Sequence, residues 1–171
     1  MLNLRGGMLM SRRSKAGCAG FTLIELMVVV AIIGISLSIA IPQLSSISQN
    51  ATLGAAAREL YGQLQRAKMD AIKRNETVAI AISSSNPYSY TVFVDSLSNR
   101  QFDDGEDLLA KGRLPKWIVF DNISFPGGVT SFTSQGRPGG DFGGVDLRDS
   151  RSGNAIRLTT TLAGYVHLAK K

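Results

Sequence analysis

Residues 21–41, FTLIELMVVVAIIGISLSIAI, carry a single charged group, Glu25. As a helix the stretch would rise about 31 Å at 1.5 Å per residue, close to the ~30 Å hydrocarbon core of a bilayer. No other feature limits the chain so strongly, because 171 residues then leave room for this apolar helix and one further domain. An ionisable group at the edge of a membrane span is costly unless something pairs with it, so Glu25 asks for a partner.

The charge balance orients the segment. The formal net charge is +6. Arg5, Arg12, Arg13 and Lys15 all precede the apolar stretch and no acid does, which leaves 15 basic against 13 acidic residues from Phe21 onward. The basic arm therefore reads as a positive-inside determinant, with residues 1–20 cytoplasmic and the C-terminal part across the membrane. Overall basicity is then no property of the folded domain and says little about nucleic acid. Charged residues at 19% and apolar ones at 44% exclude wholesale disorder. One cysteine, Cys18, excludes an intramolecular disulfide.

Composition alone leaves more than one fate for the segment. A secretory signal could be removed near Ser38-Ile39-Ala40, although the amphipathic pattern continues unbroken past that point. A plain anchor with an incidental glutamate is a second reading. A lipoprotein is excluded, because Cys18 precedes the apolar stretch instead of following it. The residues around Glu25 say more. Gly20-Phe21-Thr22-Leu23-Ile24-Glu25-Leu26 resembles the class III signal of type IV pilins and type II secretion pseudopilins. The resemblance implies a prepilin peptidase that cuts between Gly20 and Phe21 and N-methylates Phe21. It also implies that Glu25 serves assembly, pairing with the Phe21 amine of a neighbouring subunit. Such leaders are often shorter than twenty residues, so Met8 or Met10 are alternative starts to Met1.

Beyond the span, Pro42 lacks a backbone donor and should kink the helix without ending it. Leu44, Ile47 and Ala51, then Ala57, Leu60, Leu64, Ala67 and Ala71, continue an apolar stripe at three- and four-residue steps. Residues 21–74 thus read as one long helix; two helices joined by a linker at 45–50 is the alternative. After Asn75 the period switches to two. Strands are expected at 76–82, 88–94, 117–120, 129–133, 155–160 and 165–169, the last two forming a terminal hairpin around Leu162-Ala163-Gly164. Residues 95–114, acidic around Asp103, Asp104, Glu106 and Asp107, and the glycine-rich 136–144 are expected to be loops.

The expected fold class is α+β, a long N-terminal helix with a hydrophobic first half packed on an antiparallel β-sheet domain. Its divisions are a basic leader (1–20), a transmembrane and assembly helix (21–56), and a globular domain (57–171) that includes the second half of the helix. ARELYGQLQRAKMDAIKRNETVAI, SFTSQGRPGG and the closing Gly164-Tyr165-Val166-His167 resemble the GspH/FimT group of minor pilins and pseudopilins. The resemblance implies a pilin-like fold, residence in the bacterial inner membrane with a periplasmic domain, and partnership with prepilin peptidase, other minor subunits and the major subunit. It implies a role in initiating or capping a type IV pilus or a type II secretion pseudopilus.

Nothing in the sequence assembles a catalytic centre. His167 is the one histidine and reads as an ordinary strand residue, so no transition-metal cluster and no cofactor is expected. Gly139-Gly140 and Gly143-Gly144 lack the Lys-Ser/Thr of a phosphate loop, and the DDGED run lacks a calcium-loop pattern. Some FimT-like minor pilins resemble DNA-uptake components through a Gly-Arg-x-Arg segment; here Gly164-Tyr165-Val166-His167 has neither arginine. Arg148, Arg151, Arg157, Lys170 and Lys171 could still supply weak phosphate contacts, which keeps a DNA-binding subunit for natural transformation as the alternative function.

Overall fold

A computed structural model of the chain describes residues 20–140 and 142–171, with the side chain of Pro42 outside that description. The expectations for the leader, including its basic arm, Cys18 and its start, lie outside the described residues. Helix α1 runs without interruption from Leu23 to Arg74. Its end has a clear stop. Asn75 adopts a left-handed φ of 57°, the Glu76 amide donates to the Ala71 carbonyl at 3.2 Å, and the Asn75 amide to Ile72 at 3.4 Å. These two bonds close a Schellman motif and satisfy carbonyls the helix leaves open. Lys73 and Arg74 sit in the last turn, where the macrodipole favours cations.

The chain divides into two units at the Ile41–Pro42 boundary. The helical residues of the first unit expose their leucine, isoleucine, valine and methionine side chains throughout. The hydroxyls there are satisfied within the helix, Ser36 Oγ donating to Ile32 O at 2.9 Å and Ser38 Oγ to Gly34 O at 2.8 Å. A helix that meets its own polar needs is what a hydrocarbon environment tolerates.

The second unit holds the remainder of α1 and eight strands: β1 Val78–Ser83, β2 Ser89–Val94, β3 Leu108–Arg113, β4 Ile118–Asp121, β5 Val129–Phe132, β6 Gly143–Asp149, β7 Ala155–Thr160 and β8 Val166–Lys170. They form two antiparallel four-stranded sheets, in the order β3-β2-β1-β5 and β4-β6-β7-β8. Leu53, Ala56, Ala57, Leu60, Leu64, Ala67 and Ala71 form the buried face of α1. They share one core with Val78, Ile80, Val92 and Phe132 of the first sheet and Phe120, Val145, Leu147 and Leu158 of the second. Mixing alanine with leucine on that face lets both sheets approach the helix closely while the leucines fill the space between them.

Two expectations need correction. Residues 95–114 are not loop throughout: their last part is β3, an edge strand against β2. Its side chains are only partly buried, so it shows no apolar run or clean alternation. Gly112 is required there, because a Cβ at this position would lie 2.2 Å from the ring of Tyr90 on the opposing strand. That ring reaches across to α1, where its hydroxyl donates to Glu59 Oε1 at 2.8 Å. Burial first, then the bond to the Glu59 carboxylate, raises the Tyr90 pKa above its ordinary value. The second correction is β6. Gly143 and Gly144 belong to a strand, and that strand continues through Asp146 and Asp149, which charge patterning had hidden. Backbone crowds both glycines, with Leu158 O 2.6 Å from a Cβ built on Gly144.

Residues 95–107 remain loop, and their carboxylates hold it shut. Buried Asp95 accepts from the amides of Asn99 and Arg100 at 3.1 and 3.2 Å. Glu106 accepts from the amides of Ser96, Leu97 and Asp103 at 2.9, 3.4 and 3.1 Å. Phe102 packs edge-on against Phe93, ring centroids 5.5 Å apart, on the face of the first sheet that turns away from α1. The loop thus covers a second, small apolar cluster.

The β6–β7 turn is held in a similar way. Asp149 is fully buried and accepts from Arg151 Nη2 at 2.7 Å, Arg151 Nε at 3.1 Å and the Arg151 amide at 2.8 Å. These bonds, led by the guanidinium, hold its pKa below the usual carboxylate value. A depressed carboxylate contributes stability that is present above its unfolded-state pKa and lost as pH falls through the folded one. Acid titration monitored by circular dichroism should therefore show stability falling below about pH 4, with a shallower acid limb in Asp149→Asn, which starts less stable at neutral pH. Leu64→Ala should cost about 2–5 kcal/mol in urea unfolding, whereas Lys73→Ala on the exposed side should change the midpoint little.

Candidate functional site

The first candidate site is the start of α1. Gly20, Phe21 and Thr22 are exposed and precede the helix, so the Gly20–Phe21 peptide bond lies in non-helical chain. Nothing lies within 4 Å of where a Gly20 side chain would be. Thr22 acts as N-cap: its Oγ1 accepts from the Glu25 amide at 3.2 Å, and its carbonyl accepts the first helical bond from Leu26. The Thr22-x-x-Glu25 spacing is a helix-start signature already present in the sequence. Glu25 sits in the first turn, where the exposed N–H groups favour an anion. Among the described residues its carboxylate has no ion-pair partner. From Leu23 the helix is long and apolar enough to cross a membrane, and none of its most apolar stretch is buried within the protein.

The second candidate is the basic group. The structure gathers four of the five named cations at the end of the second sheet where β6 finishes, β7 begins and β8 finishes, with Arg157 further along β7. Four of the five face aspartates. Arg148 pairs with Asp121, Arg151 with Asp149 at 2.7 Å, and Arg157 and Lys171 with buried Asp146 at 3.5 and 2.8 Å. Their charge is spent largely on holding strands together. Lys170 differs, since among the described residues it has no ion pair. It lines a cleft of about 440 Å³ together with Asn50, Leu53, Gly54 and Arg58 of α1.

Sequence reading missed Trp117 as well. It is 44% exposed, with Lys116 Nζ 4.9 Å and the Arg151 guanidinium carbon 5.6 Å from its ring centre. His167 is exposed on β8, opposite Thr159. The residue of the closing segment that the fold constrains is Gly164. Its φ is 76°, a Cβ there would lie 2.4 Å from Gly136 O, and its own carbonyl accepts from Lys68 Nζ of α1 at 2.9 Å. The closing hairpin is thereby clamped onto the helix.

Comparison with known proteins agrees with this geometry. The family described as Type II transport protein GspH matches residues 56–164, and the prokaryotic N-terminal methylation motif matches residues 15–41. The pilin-like protein PilA1 of Thermus thermophilus is 40% identical over 88 residues, 52% of this chain. The match spans 55% of that relative, so the chain accounts for little more than half of its length. Among solved structures, the type IV minor pilin FimU of Pseudomonas aeruginosa superposes with a TM-score of 0.55 at 15% identity, over 71% of this chain and 91% of the other. The minor pseudopilin EpsH from the type 2 secretion system of Vibrio cholerae gives 0.53 at 14% identity, over 69% and 96%. At those identities the two structures speak for a shared fold, a long helix on antiparallel sheets. With an N-terminal methylation motif ahead of a matched domain that covers most of the second unit, the chain belongs to the GspH family.

Proposed function

We propose that this chain is a minor subunit of a type IV pilus or a type II secretion pseudopilus, held in the inner membrane until it is assembled. One observation carries the reading. An exposed Gly20–Phe21 bond stands directly before a capped, unburied apolar helix whose first turn holds Glu25, and a GspH domain follows. Exposed chain outside the helix is open to a peptidase, and a cut there leaves the apolar helix attached to the domain. Prepilin peptidase is the proposed enzyme, Phe21 the new and N-methylated terminus, and the cytoplasm the side on which the leader stays.

Once cleaved, the Phe21 amine lies one turn from Glu25. Within one copy both charges sit at the same helix end. Between copies displaced along a bundle, the carboxylate of one meets the amine of the next, and in low dielectric that attraction fixes axial register. An unmatched charge in the same place is expensive, so pairing favours correct insertion over random bundling. Pro42 removes one helical hydrogen bond just past the span and is the proposed place where the helix gives during packing. The working divisions remain a leader to residue 20, an assembly helix to 56 and a domain from 57 onward. Its work is interaction, at the start or tip of a filament.

Mass spectrometry of the membrane-bound protein should find an N-methylated Phe21 terminus, whereas a terminus at Ile41 would mean a removed secretory signal. Breaking one partner of a buried ion pair costs about 3–5 kcal/mol. Glu25→Ala should therefore be cleaved normally yet enter filaments more than about a hundredfold less well, read by immunoblot of sheared or purified fibres. Normal incorporation would refute the pairing.

A further inference from the structure

The second unit is electrically lopsided. The far end of α1, beyond Arg74, carries the acidic 95–107 loop, with Arg74 tied to Asp107 at 3.1 Å. The near end, where the chain enters from Pro42, is basic and aromatic. The β6–β7 turn marks that end, because Asn154 Nδ2 donates to Asn50 Oδ1 at 2.8 Å. Trp117 belongs to the same end, since its carbonyl accepts from the Ser150 amide at 2.9 Å and Arg151 lies over its ring. Lys170 belongs to it too, since the Lys171 amide donates to Ala155 O at 3.0 Å. Arg58, Lys116 and Lys170 have no acidic partner among the described residues.

We infer that this end docks on the headgroups of anionic phospholipids, with Trp117, Lys116 and Lys170 as its main contacts. The inference rests on the membrane-anchored reading above. Tether length supports it: Asn50 is nine residues past Ile41. As helix those residues extend about 14 Å at most, whatever the angle between the two units. The headgroup layer takes up roughly 5–8 Å of that distance, and lysine side chains span most of the rest. A tryptophan flanked by cations is the combination enriched where membrane meets water. Charge selects the occupant further, because anionic lipid attracts Lys116 and Lys170 while the acidic loop stays at the opposite end. Docking would hold the domain against the membrane surface before assembly, and filament entry would have to lift it off.

Trp117 is the chain's one tryptophan and so reports on itself. Full-length protein would be inserted in vesicles of phosphatidylcholine with one quarter phosphatidylglycerol, or of phosphatidylcholine alone, each doped with a dansyl-headgroup lipid. Energy transfer from Trp117 should be strong with phosphatidylglycerol and weak without it, and should fade at about 0.5 M salt as screening shortens. Neutralising each lysine, in Lys116→Gln and Lys170→Gln, should lower the docked-to-undocked ratio about fivefold. Flotation keeps the two readings apart. Protein that floats with both vesicles but shows equal transfer in both would overturn docking alone, and protein that floats with neither would overturn anchoring as well. Transfer that disappears on lowering the protein-to-lipid ratio would assign the surface to a second copy and likewise overturn the proposal.

Discussion

The buried face of α1 between Leu53 and Ala71 holds the domain together. Both sheets share one core with the helix, which supplies the surface on which they close. Ala57, Leu60, Leu64, Ala67 and Ala71 are essentially inaccessible to water. The same helix that would anchor the chain therefore also folds the domain.

The two halves of the helix answer to different solvents. In the first, side chains are exposed and hydroxyls turn back to backbone carbonyls; in the second, polar groups reach outward to Tyr90, Asn154 and Gly164. Capping differs in the same spirit. Thr22 closes the N-terminal end with a short local bond that leaves the preceding peptide outside the helix, while Asn75 ends the helix tightly enough for β1 to begin three residues later.

Much of this was legible in the chain. The long helix, six of the eight strands and the terminal hairpin follow from spacing, because three- and four-residue steps and strict alternation leave direct marks. The part that escaped did so for physical reasons. β3 is an edge strand stabilised by a glycine under a tyrosine ring, so its residues have no apolar signature of their own. β6 carries two buried aspartates, Asp146 and Asp149, neutralised by Arg157 and Lys171 and by Arg151 in the following turn. Those partners are distant in sequence or invisible in a strand pattern. The same pairing explains why the basic residues looked freer in the sequence than they are. Trp117 was passed over because its meaning lies in Lys116 and Arg151 around it, a grouping only the folded turn creates.

The 95–107 loop has one more implication. Asp95 and Glu106 are bound to its own amides, and it meets the rest of the domain through Phe102 on Phe93, Asp107 on Arg74, the Asp95 amide on Thr77 O and Arg100 on Gly139 O. A segment that supplies its own scaffold can change length and content without disturbing the core on the other side of the sheet. Changes at the far end of the domain should therefore disturb folding less than changes on the helix face that both sheets share.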